Sequence, residues 1–398
     1  MRIAVLLPLL PEPRLVTRKL KLQAFLIYHE YPPAGILPAG PSQSDGLALE
    51  NIKPKRREVI HQTDHQTDHQ TNQRTKMPNP PAMNILKPRN LTHPQEAPML
   101  IIGCGYTGTR VARKLAQEGR PVIGTAATPQ SVERLRQEGL TALRLDLDED
   151  CGLDKILDES LDETLDEDEP ANPADHSILY LTPPPPTGTT DPRLARLLDH
   201  LRARDRAPRI VYAGTTGVYG DCAGRWVTEE HPLNPGTDRA RRRADAERQL
   251  QEYAGEAIIL RIAGIYGPGR LPIAQVKGRM PVLRPEEAPY SNRIHVDDLV
   301  AVCLAAMDRG RPGAAYNVAD GRPTTMTHYF TLLARMLAEE PPPTITWPEA
   351  EKMLPPELLS FLRENRRVDN TKMRRDLGTR PRYTDLARGL KDSLSSSV

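Results

Sequence analysis

Short apolar runs alternate with amphipathic stretches from about residue 99 to the end of this chain. The apolar runs have the length of buried strands and occupy 100–102, 121–124, 142–145, 177–181, 209–213 and 257–262. Between them, apolar residues recur at helical spacing in 109–118, 131–138, 191–204 and 241–253. Strands that alternate with helices build a parallel sheet covered on both faces, so the pattern predicts a doubly wound α/β domain over 99–398.

The first 98 residues do not follow this pattern. They contain a tandem tetrapeptide, HQTDHQTDHQTN, from His61 to Asn72 and a proline-rich stretch from Met77 to Pro98. Both are typical of a disordered low-complexity extension. The histidines of the repeat recur every four residues, but the residues between them supply no apolar face to hold a helix, so we expect no metal site. Met99 stands directly before the first strand, and we interpret it as the functional start.

An acidic repeat, LDESLDETLDED at 157–168, interrupts the alternation where a crossover helix is due. Like charges that lie close together repel one another, so an exposed helix or loop without chemistry is favoured. Calcium binding is the alternative, but the glycine turn and ligand spacing of known calcium loops are missing.

Composition and charge exclude several classes of function. The chain has 54 basic and 52 acidic residues, a net charge of +2, and no aromatic residues beside its arginine-rich stretch, so nucleic-acid binding is not expected. No apolar stretch approaches the ~20 residues that cross a bilayer, so we expect no membrane span. The four cysteines form no CxxC pair or zinc-ligand spacing, which favours a reducing compartment and a cytoplasmic location.

The strongest single motif is GCGYTG, which lies after the first strand and before the first helix. Its pattern, G-x-G-x-x-G, is typical of a loop that holds the pyrophosphate of a dinucleotide at a helix N-terminus. The motif therefore predicts a Rossmann-type NAD(P)-binding domain. Its cofactor-binding residues are Gly103, Cys104, Gly105, Tyr106, Thr107 and Gly108.

The end of the second strand bears on the choice between NAD and NADP. NAD sites usually offer an acid there for the ribose 2′-hydroxyl, but VIGTAATPQS, from Val122 to Ser131, contains none. A missing carboxylate cannot repel a 2′-phosphate, which favours NADP. The preference is slight, because no arginine stands there either and Thr125 is only a neutral donor. Asp146, after the third strand, is a candidate adenine contact, with a structural cap or plain exposure to solvent as the alternatives.

Four later motifs resemble the extended short-chain dehydrogenases, the NAD-dependent epimerase/dehydratase family. They are VYAGTTGVYGD (211–221), LRIAGIYGPGR (260–270), NRIHVDDL (292–299) and YNVADGRP (316–323). The chain is most similar to atypical members whose glycine loop is G-x-G-x-x-G. The resemblance implies a cofactor part at about 99–265, a small C-terminal α/β substrate portion mainly within 266–398, and a nucleotide sugar as substrate. The resemblance does not decide whether the protein forms a homodimer.

The resemblance also implies a catalytic group, and here the chain departs from the family. Thr215 matches the Ser or Thr that steadies the substrate, but Arg239 and Arg243 occupy the positions of the Tyr-x-x-x-Lys pair. An arginine stays protonated, so Arg239 cannot act as a general base. Arg243 could still hold ribose hydroxyls or a phosphate with its forked donors, as the lysine does. A solvated basic helix start is the alternative for this arginine cluster.

The remaining candidates come from the same motifs. Tyr266 and Gly267 are predicted to shape the nicotinamide pocket. The predicted substrate contacts are Arg270, Arg293, His295 and Asn370. His295 titrates near neutrality and could replace the lost base, although a hydrogen-bonded structural role is favoured within its apolar run. Asp298 is interpreted as a helix N-cap or a ligand contact.

Two functions remain open on the sequence. The first is an enzyme that acts on a nucleotide sugar or a similar hydroxylated substrate by transient hydride transfer, with Thr215 as orienting group and an unidentified base. The second is a non-catalytic NAD(P)-binding sensor or regulatory protein that has lost the proton-transfer pair.

Overall fold

A computed structural model describes residues 99–149, 152–158 and 177–396. Its strands are β1 (Met99–Ile102), β2 (Val122–Ala126), β3 (Ala142–Arg144), β4 (Ser177–Tyr180), β5 (Ile210–Thr215), β6 (Trp226–Val227), β7 (Ala257–Ile262), β8 (Gly264–Tyr266), β9 (Val282–Leu283), β10 (Tyr290–Ser291), β11 (Arg293–His295), β12 (Ala315–Val318), β13 (Thr324–Thr325), β14 (Thr344–Ile345) and β15 (Arg367–Val368).

The helices complete the alternation with the strands. They are α1 (Tyr106–Gln117), α2 (Pro129–Gln137), α3 (Leu153–Asp158), α4 (Pro192–Ala203), α5 (Asp238–Gln251), α6 (Ile273–Lys277), α7 (Val296–Arg309), α8 (Met326–Met336), α9 (Trp347–Met353), α10 (Pro356–Leu362), α11 (Thr371–Asp376) and α12 (Leu386–Ser395).

Seven strands form one parallel sheet in the order β12-β7-β5-β4-β1-β2-β3. Within this sheet, the chain begins in the middle at β1, runs outward through β2 and β3, and returns to build the other half from β4 onward. The direction therefore reverses between β1 and β4, and in open α/β sheets ligands bind in the crevice outside the strand ends at such a point. This order confirms the predicted doubly wound parallel sheet.

Each face of the sheet is covered by helices around an apolar core. Leu115 of α1, Leu135 of α2 and Leu299 of α7 are buried on one face. Ile156, Leu197 and Leu250 bury α3, α4 and α5 on the other face. Burial on both faces explains why the strands are continuous apolar runs rather than alternating ones.

The C-terminal portion has a core of its own and is joined to the sheet at several points. Val276, Phe330, Leu358 and Leu390 belong to this separate core. The chain leaves the sheet after β7 and comes back to it with α7 and β12, so segments of the sheet and of the C-terminal portion alternate along the sequence. In addition, β15 pairs with β6 in parallel.

Some of the sequence predictions concern residues that the structure does not describe. The histidine repeat, the proline-rich stretch and residues 159–176, with most of the acidic repeat, lie outside the described residues. Leu157, the first leucine of that repeat, is described and is buried. The interpretation of Met99 as the functional start stays a prediction. No helix in the described ranges is long and apolar enough to cross a membrane.

Candidate cofactor and substrate site

The glycine loop between β1 and α1 is packed tightly at two of its three glycines. Gly103 has a φ of +103°, and a Cβ there would lie 2.8 Å from Thr182 Oγ1. A Cβ on Gly108 would lie 2.5 Å from the Gly103 carbonyl oxygen. Both positions therefore require glycine so that the loop can fold against β4 and the helix can start close to the sheet.

Gly105 differs from these two glycines because it faces open space. A Cβ there would meet no atom within 4 Å. The first hydrogen bond of α1 runs from Thr109 N–H to the Gly105 carbonyl, so the amides of residues 106–108 precede the helical ladder. Gly105 has no side chain to cap these amides. An open backbone at a helix N-terminus fits the pyrophosphate of a dinucleotide.

Two residues predicted to contact the cofactor, Thr125 and Cys104, have side chains that hold the glycine loop in place. The Thr125 side chain is buried, its hydroxyl accepts a hydrogen bond from Gly103 N–H (3.2 Å), and its carbonyl accepts from Cys104 N–H (2.7 Å). The Cys104 thiol packs against Gly124, where a Cβ would lie 2.6 Å from the sulfur. Burial raises the pKa of Cys104 to about 12. Cys104 therefore offers a ligand its main chain only. Thr107 is also buried.

Tyr106 joins the glycine loop to the segment after β8. Its hydroxyl donates to the Pro268 carbonyl (3.0 Å), and the Arg110 and Arg270 guanidinium carbons lie 3.9 and 5.2 Å from its ring centre. A Cβ on Gly267, whose φ is +154°, would lie 2.7 Å from this hydroxyl. Burial raises the pKa of Tyr106. The structure thus brings together Tyr106, Gly267 and Arg270, which were predicted separately.

The ends of β2 and β3 include Arg144, which was not predicted as a site residue. Asp146 forms a local turn in which its carboxylate accepts from Asp148 N–H (3.0 Å). Arg144, at the end of β3, donates from Nε to the carbonyl of Ala127, just after β2 (3.1 Å). The segment directly after β2 contains no cation, whereas this arginine comes from the adjacent strand, β3.

Thr215 and Arg243 approach the same end of β5. The Thr215 hydroxyl accepts from Gly217 N–H (3.1 Å) at the start of a 3₁₀ turn, Thr216–Tyr219. Arg243 extends from α5 to the carbonyl of Ala213 (2.8 Å) and the hydroxyl of Tyr212 (3.5 Å). Arg239, one turn earlier in α5, is exposed. The arginine at the lysine position therefore reaches the strand end, and the one at the tyrosine position faces solvent.

Three predicted substrate contacts have buried side chains with partners inside the protein. Arg293 donates to Thr324 Oγ1 (2.6 Å) and lies 4.4 Å from the Tyr329 ring centre. Asn370 donates to the Ala319 carbonyl (2.8 Å). His295, only 1% exposed, accepts at Nδ1 from Asp297 N–H (3.2 Å) and lies 3.2 Å from Ser393 Oγ at Nε2.

His295 is the N-cap of α7 and carries its proton on Nε2. Since Nδ1 accepts from a backbone amide, the remaining proton is on Nε2 and points to Ser393, whose own hydroxyl donates to the Gly389 carbonyl (2.6 Å). Burial lowers the pKa of His295.

The interpretation of Asp298 as the N-cap was wrong. Asp298 lies inside α7, where its carboxylate accepts from the amides of Arg382 and Tyr383.

Tyr266 is buried next to this histidine. Its ring centre lies 5.2 Å from that of His295, and a Cβ on Gly389 would lie 2.1 Å from its hydroxyl. Burial raises the pKa of Tyr266 well above its usual range. Tyr266 therefore helps to attach α12 to β8.

A buried ion pair behind Thr215 was not predicted either. Glu247 of α5 and Arg261 of β7 are 0% and 5% exposed, with Nη2 and Oε2 2.8 Å apart. Arg261 also donates to the Tyr219 hydroxyl (2.8 Å), which donates to Asn317 Oδ1 (2.7 Å). This network joins α5, β7, β12 and the 3₁₀ turn that begins after Thr215.

Among the described residues, no group of three His, Cys, Asp or Glu side chains is arranged to hold a metal ion.

Comparison with known proteins agrees with this architecture. The chain is 28% identical over 248 residues to Protein YeeZ of Escherichia coli K12, covering 61% of this chain and 84% of that protein. A functionally unknown conserved protein from Silicibacter pomeroyi superposes with a TM-score of 0.63 at 32% identity, covering 76% of this chain and 99% of that one.

Better characterised proteins share the fold at lower identity. UDP-glucose 4-epimerase of Thermotoga maritima, solved with UDP-glucose, has a TM-score of 0.59 at 20% identity over 75% of this chain and 97% of that one. The family model described as the NAD dependent epimerase/dehydratase family matches residues 99–319. This match spans more than half of the chain. The chain therefore belongs to the NAD-dependent epimerase/dehydratase family.

Proposed function

We propose that this protein binds NAD(P) over the glycine loop and uses it for transient hydride transfer on a nucleotide sugar or a similarly hydroxylated substrate. The observation that carries the proposal is the open backbone at Gly105, which faces the same edge of the sheet as Thr215 and Arg243. The bound nicotinamide would supply the hydride acceptor. The protein would hold its pyrophosphate with the amides of residues 106–108.

Arg243 and Thr215 would orient the reacting groups. The Arg243 guanidinium lies near the end of β5, where it donates to the carbonyl of Ala213 and the hydroxyl of Tyr212, and its forked donors suit ribose hydroxyls or a phosphate. The Thr215 hydroxyl accepts from Gly217 N–H, which leaves its own proton for a substrate oxygen. Both groups stabilise a bound substrate without a change in their own protonation.

The proton acceptor of the reaction is not one of the two arginines. Arg239 is exposed and stays protonated throughout the physiological range. His295 is also unsuited, because both of its ring nitrogens have partners within the protein. The lack of an identified base among these residues is the observation that supports a second candidate, a non-catalytic NAD(P)-binding sensor or regulatory protein, and the experiment must separate the two.

The choice of cofactor and partners follows from the same site. The exposed residue directly after β2 is Ala127, and no acid stands there, which slightly favours NADP over NAD. A relative that was solved with UDP-glucose makes nucleoside-diphosphate sugars the first substrates to test. Buried free thiols at Cys104, Cys222 and Cys303 fit the cytoplasmic location proposed from the sequence. A homodimer also stays a proposal.

The test is calorimetric titration of NADP and NAD into the protein, followed by addition of nucleotide sugars while the absorbance of reduced nicotinamide is recorded. For an enzyme, we expect substrate-dependent reduction or oxidation of bound cofactor. Thr215→Ala and Arg243→Gln should lower that rate at least about tenfold. Arg241→Gln, an exposed arginine of the same helix, is the matched control and should change nothing.

Each outcome separates the alternatives. Cofactor binding without turnover across a broad panel of nucleotide sugars would support the non-catalytic sensor. Absence of binding by both dinucleotides would overturn the interpretation of the glycine loop and the proposed function with it.

A further inference from the structure

The adenosine end of the proposed cofactor site contains a cation that the strand order brings to it. Arg144 lies beside Ala126 in the register of β2 and β3. Its Nε donates to the carbonyl of Ala127, so the guanidinium lies directly over the first residue after β2. This is the position at which NAD-binding proteins of this fold usually place an acid for the ribose 2′-hydroxyl.

The surroundings of Arg144 leave it available to an anion. Ala127 is exposed and has only a methyl side chain, so it carries no charge that would repel a phosphate. Its ion-pair partner, Glu149, lies 3.0 Å away, and the two side chains are 43% and 62% exposed. An ion pair in such contact with solvent is weak, so a phosphate dianion can displace the carboxylate.

We infer that Arg144 selects NADP over NAD by binding the 2′-phosphate of the adenine ribose, in place of Glu149. The inference rests on the proposed function only in that the dinucleotide binds over the glycine loop; it does not require turnover. An arginine fork binds phosphate oxygens with charge-assisted hydrogen bonds, which a 2′-hydroxyl cannot match.

The test compares dissociation constants for NADPH and NADH, measured by calorimetry on the full chain. We expect the wild type to prefer NADPH by at least about tenfold, and Arg144→Gln to remove most of that preference while leaving the NADH affinity within about threefold. Glu149→Gln should strengthen NADPH binding, because it removes the competing carboxylate. Ala127→Asp should reverse the preference, because it places an acid at the exposed position over which the guanidinium lies.

Arg136→Gln is the matched control. Arg136 binds the Ala142 carbonyl with Nε and Nη2 at the opposite end of β3, so its loss removes a similar arginine–carbonyl contact away from the site. It should leave the ratio of the two affinities unchanged.

Several results would overturn the inference. One is an equal loss of NADPH and NADH affinity in Arg144→Gln, which would mean that the arginine only supports the loop at Ala127. Another is a wild type that binds NADH without preferring NADPH, which would leave the proposed function standing. If Arg144→Gln does not fold, the Ala127→Asp and Glu149→Gln variants decide. Adenosine 2′,5′-bisphosphate must also bind more tightly than its 3′,5′ isomer, since a general phosphate site would not distinguish them.

Discussion

At the scale of single residues, Asp320 is a buried carboxyl at the end of β12. It is 5% exposed, and one of its oxygens accepts from Arg322 N–H (2.8 Å). Burial raises its pKa from 3.8 to about 7, although Arg293 and Arg322 oppose that shift. Between these two pH values the folded protein holds a proton that the unfolded chain has released, so this carboxyl lowers the free energy of unfolding as the pH rises.

We therefore expect Asp320→Asn to stabilise the protein at about pH 8 by roughly 2–4 kcal/mol and to have little effect near pH 4. The asparagine oxygen can still accept from Arg322 N–H, while the buried charge is removed. Guanidinium unfolding at both pH values measures the difference. An equal change at the two pH values would contradict the explanation by titration.

At the scale of elements, two glycines of the glycine loop are expected to have different roles. Gly108 is required for folding, and Gly105 is required for cofactor binding. Gly108→Ala places a methyl group 2.5 Å from a backbone oxygen, so we expect a loss of about 2 kcal/mol or more in the free energy of unfolding. Gly105 has a φ of −84° and open space, so Gly105→Ala should change stability by less than about 1 kcal/mol. The same methyl lies where the pyrophosphate approaches, and NADPH affinity should fall at least about tenfold.

Thermal unfolding and calorimetric titration of the two variants, side by side, test this division. A Gly105→Ala protein that binds as the wild type does would remove Gly105 from the cofactor site. Normal stability in Gly108→Ala would mean that the start of α1 can move away from the loop.

Elements of this fold could be predicted because their signals are local. Strand length, helical spacing and the glycine pattern each lie within a dozen residues, and the observed bounds differ from the predicted ones by a few residues. Partners distant in sequence could not be predicted in this way. His295 and Ser393 are 98 positions apart, so the sequence could not show that the ring is fully bonded. Arg144 reaches Ala127 only through the pairing of β2 with β3.

At the scale of the whole molecule, the pair of Glu247 and Arg261 joins parts that the chain connects only over long distances. Arg261 donates to both carboxylate oxygens of Glu247, and its Nη1 donates to the Tyr219 hydroxyl and the Glu229 carbonyl. Burial raises the pKa of Glu247, while the hydrogen bonds and charge of Arg261 oppose that shift. Each charge is stable inside the protein only because the other is present.

We expect Arg261→Met alone to lower the free energy of unfolding by about 3–5 kcal/mol, because it leaves the Glu247 carboxylate buried without a partner. Glu247→Leu should be similarly costly, since it isolates the guanidinium. The double variant should be less destabilised than either single one, as neither charge then remains to be buried. Urea unfolding of all four proteins gives the coupling energy. The exposed pair of Arg248 on α5 and Glu252, the residue that follows the helix, is the control. The two side chains lie 2.9 Å apart, and alanine substitutions there should each cost less than about 1 kcal/mol, with additive effects. Losses at the buried pair that merely add would mean that Tyr219 and Glu229, rather than the carboxylate, make Arg261 necessary.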